Sequence, residues 1–158
     1  RSNYIIDVIT ANNFDGQKCE EYRLLHTRVS GRATRSLKSF QVMYDAIREN
    51  QAFLVRVGDK SGRTAATHFF FYHSLYCMYG SSAVDSQEPS NAGVGQLGVW
   101  EGMVAARNLG CHFLDMGQLR LTNNPSEKEQ NIAKFKKGFG GETVAVFRGK
   151  KVFDLEGI

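Results

Sequence analysis

Three glycines stand in the spacing GxGxxG over Gly93–Gly98, within the run Ser90-Asn91-Ala92-Gly93-Val94-Gly95-Gln96-Leu97-Gly98. The run follows a polar loop and opens an apolar helical pattern. Glycines at such a point let a backbone come close to a pyrophosphate. The first N–H groups of a helix have no partner inside it and bind the anion. The same glycines also serve a helix that must lie close against its neighbours. A dinucleotide site would need a parallel strand ahead of the motif and an acidic residue about twenty positions on, and Asp115 is near that spacing. The motif lies past the middle of the chain, however, and too few strand-helix-strand units remain for a dinucleotide fold.

Proton acceptors are few. His68 and His73 fall in a strand hairpin, Glu101 follows Trp100 in the apolar helix, and Asp115 ends a short strand. Each is a candidate general base. Each also has a structural use, a strand histidine as a core residue and Glu101 as part of an exposed helix stripe. Cations are more concentrated. From Tyr22 to Tyr44 the chain carries Arg23, Arg28, Arg32, Arg35 and Lys38 with no acidic residue. That run reads either as a solvated surface or as a rim for an anion. It has no interleaved aromatic stripe of the kind that stacks bases. Lys136 and Lys137 end a later helix, where cations favour the dipole and can also polarise a carbonyl or hold phosphate.

Composition bounds the rest. The chain has 158 residues, 42% hydrophobic and 23% charged, with a formal charge of +4, which fits one globular domain over 1–158. The chain opens on Arg1 without Met, as a trimmed chain or a domain cut from a longer protein would. Cys19, Cys77 and Cys111 show no CxxC spacing, so buried free thiols in a reducing cytoplasm are expected rather than a metal or a disulfide. The apolar stretch from Phe69 to Tyr79 is too short to span a bilayer.

The elements that position these groups follow from periodicity. Tyr4 to Thr10 reads as a strand, and 15–29 as a helix with Cys19, Tyr22, Leu25, His26 and Val29 on one face. A second helix from about Ser36 aligns Phe40, Met43, Tyr44 and Ile47. Strands are expected at 52–57, 64–72 and 75–81. The helix 94–109 is apolar on nearly every side through Leu97, Val99, Trp100, Met103, Val104, Ala105 and Ala106, so it is expected to be covered on several sides. A strand follows at 112–116. Ser126 and Glu129 form a capping box for a helix ending near Lys137. Glu142–Phe147 and Val152–Leu155 read as a final hairpin. The class is α/β, in an α+β layered sense.

This order of elements resembles the GNAT acyltransferase fold over essentially the whole chain. Tyr79-Gly80-Ser81-Ser82, then Leu97, Trp100-Glu101 and Ala105, then Gly110-Cys111 and Asp115-Met116-Gly117, and above all Phe135-Lys136-Lys137-Gly138-Phe139-Gly140-Gly141-Glu142, are similar to the Fem (peptidoglycan-bridge aminoacyltransferase) branch. Enzymes of that branch carry two such domains and a helical-hairpin insertion; this chain has length for one domain and no visible insertion.

The resemblance implies a mixed central sheet of about seven strands flanked by about four helices. It implies transfer of an acyl or aminoacyl group to a primary amine on a nucleotide sugar or cell-envelope precursor. The donor would be acyl-CoA or aminoacyl-tRNA, with no metal. Ser90, Asn91, Gly93, Val94 and Gly95 match the family's phosphate loop apart from Ser90, which stands where Gln or Arg is usual. Lys136, Glu101 and Asp115 become the catalytic candidates. Arg28, Arg32, Arg35 and His68 fall on the side of an anionic, amine-bearing acceptor, with tRNA as a further partner. The family's late tyrosine is absent, since no Tyr follows Tyr79. A non-catalytic domain that binds tRNA or a partner domain is the alternative.

Overall fold

The computed structural model describes residues 3–89, 92–119, 124–145, 147 and 149. The chain divides into two compact units, residues 1–117 and 118–158.

The first unit holds a five-stranded sheet in the order β1 (Tyr4–Ile9), β2 (Ala52–Asp59), β3 (Thr64–His73), β4 (Tyr76–Val84) and β5 (Phe113–Asp115). The first four strands pair antiparallel; only β4 and β5 run parallel. One parallel pair joined by one helix is less than a dinucleotide fold requires. Helix α1 (Gly16–Ser30) starts where the Asp15 carboxylate accepts the N–H groups of Gln17 and Lys18, and stops at Gly31 in the left-handed region. Helix α2 (Leu37–Arg48) starts on the Ser36 hydroxyl, which accepts the Ser39 N–H at 3.1 Å.

Both helices cover one face of the sheet. Cys19 and Tyr22 from α1 and Phe40, Met43, Tyr44 and Ile47 from α2 close on Leu54 and Phe69. The Tyr44 hydroxyl donates to the Cys19 carbonyl at 2.7 Å and ties the two helices together. Val29 departs from the expected buried face: it lies in the last turn of α1, past the edge of this core, and is 45% exposed. Cys19, Cys77 and Cys111 are buried free thiols. Burial pushes the Cys19 and Cys77 thiols up to about 12, so neither is a nucleophile near neutrality.

Helix α3 (Val94–Asn108) covers the other face, over Phe53, Val55, Phe70 and Cys77. It does not do so in the way its hydrophobicity suggests. Trp100 is 58% exposed, while Gly95, Gly98, Val99, Gly102, Ala105 and Ala106 face the sheet. The reason is close approach. A Cβ on Gly98 would lie 2.2 Å from His68 Cδ2, and one on Gly102 would lie 2.2 Å from Phe70 Cζ. The helix therefore rests directly on two β3 side chains, and its larger side chains are left on the flanks.

The second unit holds α4 (Glu127–Lys137), opened by the expected Ser126–Glu129 capping box. Residues 142–145 form no strand, so the described sheet has five strands rather than seven. The rest of the expected hairpin lies outside the described residues, apart from Phe147 and Gly149, which carry no strand. No described helix is long and apolar enough to cross a membrane.

Candidate active site

Strand β5 is far shorter than its neighbour. Its ladder with β4 is Tyr76 with Phe113, Cys77 with Leu114 and Met78 with Asp115, and there it ends. Strand β4 continues through Tyr79–Val84, and on that edge these six residues have no strand partner among the described residues. An unpaired strand edge offers N–H and C=O groups at ladder spacing, and an extended chain can lie along it as an added strand.

The strand is also bent at the fork. Phe69 pairs with Ser81 and Phe70 with Tyr79, so Gly80 is the extra residue of a bulge. A Cβ on Gly80 would come within 3.0 Å of the Phe71 ring and 3.2 Å of the Phe69 carbonyl oxygen, which is why the position takes glycine. On one face the Ser81 and Tyr22 hydroxyls are 2.5 Å apart. On the other, the Tyr79 hydroxyl is 3.1 Å from His68 Nδ1. Burial raises the Tyr79 phenol's pKa, so it stays protonated.

At its far end β4 passes through residues 85–93 into α3. Gly93 is the N-cap, left-handed at φ 66°, and its carbonyl accepts the Leu97 N–H at 2.8 Å. It has no side chain to cap the helix, so the amides of Val94, Gly95 and Gln96 face the N-terminus without a side-chain acceptor among the described residues. Beyond its chain neighbours, no described residue lies within 4 Å of where a Gly93 Cβ would stand. Open space, uncapped amides and the positive end of the helix dipole together fit a pyrophosphate. The Val94 side chain is buried beside Val57 and Ala66, so only its backbone is available to a ligand. Ser90 and Asn91 lie outside the described residues.

The other candidates are dispersed. Asp115 is exposed and in register with Met78, at the fork itself, and its carboxylate accepts the Gly117 N–H at 2.6 Å. Glu101 is half-buried two turns into α3. His73 is exposed at the end of β3. Arg28 pairs with Asp85 at 2.8 Å. Arg35 donates to His26 Nε2 at 3.2 Å, and Arg32 is exposed. Lys136, on α4 in the second unit, donates to the Gln118 carbonyl at 3.0 Å. Tyr79, Gly80, Ser81 and Asp85 carry no site role legible in the sequence; a glycine inside a strand pattern is the one available signal.

His68 is fully enclosed between β3 and α3, against Gly98 and Tyr79 rather than solvent. Burial lowers its pKa from 6.5 to about 3. The folded state therefore binds its proton less tightly than the unfolded chain does. Stability from this group is present above about pH 6.5 and is lost as pH falls toward 3, by up to roughly 4–5 kcal/mol. Burial and the nearby Arg35 shift His26 in the same direction. Urea unfolding at pH 7.5 and 4.5 should show a large drop for the native protein and a clearly smaller one for His68→Gln, even though that variant starts less stable.

No family model matches the chain, and no curated protein matches it in sequence. Solved structures match it in fold. An aminoglycoside acetyltransferase from an uncultured soil metagenomic sample, in complex with sisomicin, superposes with a TM-score of 0.68 at 13% identity, covering 95% of this chain and 97% of that one. An aminoglycoside N-acetyltransferase in complex with CoA gives 0.67 at 12% identity, covering 94% and 95%. A ribosomal-protein-alanine N-acetyltransferase from Brucella melitensis biovar Abortus gives 0.64 at 8% identity, covering 95% and 99%. The fold is that of the GNAT acyltransferases. At these identities the likeness shows the fold alone. Within it, the β4–β5 fork and the Gly93 helix start are the two ends of one open strand edge.

Proposed function

We propose that this protein transfers an acyl group from an acyl-CoA donor to a primary amine. One observation carries the reading: β4 loses its partner after Met78 and runs six residues, about 20 Å, toward an uncapped helix start. An extended thioester donor can lie along that edge, its amides on the strand and its phosphates on the amides of 94–96. The neighbour bound to CoA, solved also with the bisubstrate analogue CoA-S-monomethyl-acetylneamine, supports the assignment.

In this reading the reacting carbonyl sits at the bulge, where a β4 N–H between Tyr79 and Ser81 donates to its oxygen and stabilises the developing oxyanion. The amine nitrogen attacks the carbonyl carbon, a C–N bond forms, the C–S bond breaks and the thiolate leaves. The amine's proton passes, directly or through water, to a carboxylate on an element bounding the gap, Asp115 on β5 or Glu101 on α3. Exposed Arg32 on the α1–α2 connection and exposed Lys38 in the first turn of α2 favour an anionic acceptor such as a nucleotide-sugar amine. The FKKGFGGE block keeps aminoacyl-tRNA as the competing donor.

A thermal-shift titration with acetyl-CoA tests the reading. At about a hundred times the dissociation constant, binding adds roughly 2.7 kcal/mol, a rise of about 5–10 °C for a chain of this size. No shift, together with no release of CoA thiol in the presence of amino-sugar and nucleotide-sugar amines, would sink it.

A further inference from the structure

We propose that Arg28 and Asp85 are positioning residues of the donor site: their ion pair fixes the loop that carries Gly93 to the end of the β4 edge. The proposal rests on the acyl-CoA reading above, but its central claim concerns the loop and is tested separately.

Asp85 is the first residue after β4, and its side chain is only 3% exposed. Its Oδ2 accepts Arg28 Nη2 at 2.8 Å and Arg63 Nη1 at 3.1 Å. Its Oδ1 accepts the Gln87 N–H at 3.1 Å. Its own N–H donates to the Ala65 carbonyl at 2.8 Å, and its carbonyl accepts the Glu88 N–H at 3.0 Å. Three residues on, Glu88 accepts Arg63 Nη2 and, at 2.6 Å, the Tyr4 hydroxyl. Two loop residues, Asp85 and Glu88, are thus held from β1, from the turn between β2 and β3, and from the end of α1, and Gln87 is bonded back to Asp85.

Such a cluster is a poor choice for stability alone, because burying a carboxylate costs nearly what its partners return. It is a good choice for fixing a chain direction, since each bond has a required geometry. The loop is where direction matters. It has nine residues, 85–93, in which to turn from the strand edge to the helix start, and both ends of the proposed donor lie on what it joins. Arg28 reads from sequence as part of an acceptor rim, with Arg32 and Arg35. Its guanidinium is instead bonded to Asp85, while the side chain as a whole stays 64% exposed.

That exposure makes the test clean, since Arg28→Ala removes little packing. Acetyl-CoA affinity should fall about three- to tenfold, the range for losing one partner of a part-buried pair that keeps its second cation. Thermal stability should hardly move, and Arg28→Lys should recover part of the affinity. Arg107→Ala removes an equal charge from the exposed last turn of α3 and should leave affinity at the native value. In the absence of any ligand, Arg28→Ala should also speed amide hydrogen exchange across 85–89 and 92–97, and Arg107→Ala should not.

Native affinity with native exchange in Arg28→Ala would overturn the proposal. So would equal affinity losses in the two variants, which would mean long-range attraction rather than positioning. If the native protein binds no acetyl-CoA, the donor reading fails by itself. The exchange comparison then decides alone: faster exchange in Arg28→Ala upholds the clamp, and unchanged exchange overturns it.

Discussion

Gly93→Val lowers acetyl-CoA affinity by one to two orders of magnitude while the protein stays folded. Gly93 sits at φ 66°, with no described residue beyond its chain neighbours within 4 Å of a Cβ position. A valine Cβ there meets no clash with the described residues. It does carry the left-handed penalty, about 1–2 kcal/mol and more for a β-branched residue. The affinity loss has a different origin. The Val94–Gln96 amides are open to an anion because the N-cap has no side chain, and a branched side chain covers the approach. Each charge-assisted hydrogen bond contributes about 1.5–3 kcal/mol, so losing one or two costs roughly ten- to a hundredfold or more. Gly110→Val is the control. Gly110 is also left-handed, at φ 88°, with nothing within 4 Å, but it follows the C-terminal end of the same helix. It should lose comparable stability and no affinity. Calorimetric titration of both variants gives the comparison. Equal affinity in Gly93→Val and native protein would remove the phosphate role from this loop.

What the sequence discloses here is what local spacing controls. Asp15, Ser36 and the Ser126–Glu129 pair cap helices within three residues of themselves, so their roles can be read directly. Phe40, Met43, Tyr44 and Ile47 share a face by helical period alone, and all four are buried. The site depends on relations that no spacing encodes. The gap exists because β5 stops at Asp115, and a strand's length is set by its partners. Asp85 looks like one polar residue in a polar loop until Arg28 and Arg63, 57 and 22 positions away, are folded onto it. Helix α3 misleads for a related reason. Hydrophobicity marks Trp100 as an inward residue, yet the inward face is chosen by Gly98 and Gly102, which admit His68 and Phe70. The glycines carry the information, and their partners lie some thirty residues earlier in the chain.

That seating has a measurable consequence. Gly98→Ala should destabilise the protein by about 2–3 kcal/mol, toward the upper end of the range for overpacking a filled core. The new methyl would stand 2.2 Å from His68 Cδ2 and 2.3 Å from Nε2. His68 has nowhere to retreat, being wholly buried with its ring stacked on Tyr79 at 6.0 Å between centroids. Either the ring is forced aside or α3 lifts from β3. Lifting would also open the Gly102–Phe70 contact and carry the amides of 94–96 away from the end of the β4 edge. A loss of about 5–10 °C in melting temperature should therefore come with weaker acetyl-CoA binding, a combination that Gly110→Val does not produce. His68→Ala removes the opposing ring, so in the double variant the alanine methyl has room. The two changes should cost clearly less together than the sum of each alone, by a coupling on the order of 1 kcal/mol or more. Urea unfolding of the four proteins in that cycle measures it. Simple additivity would mean that Gly98 and His68 do not bear on each other, and the glycines of α3 would then need another explanation.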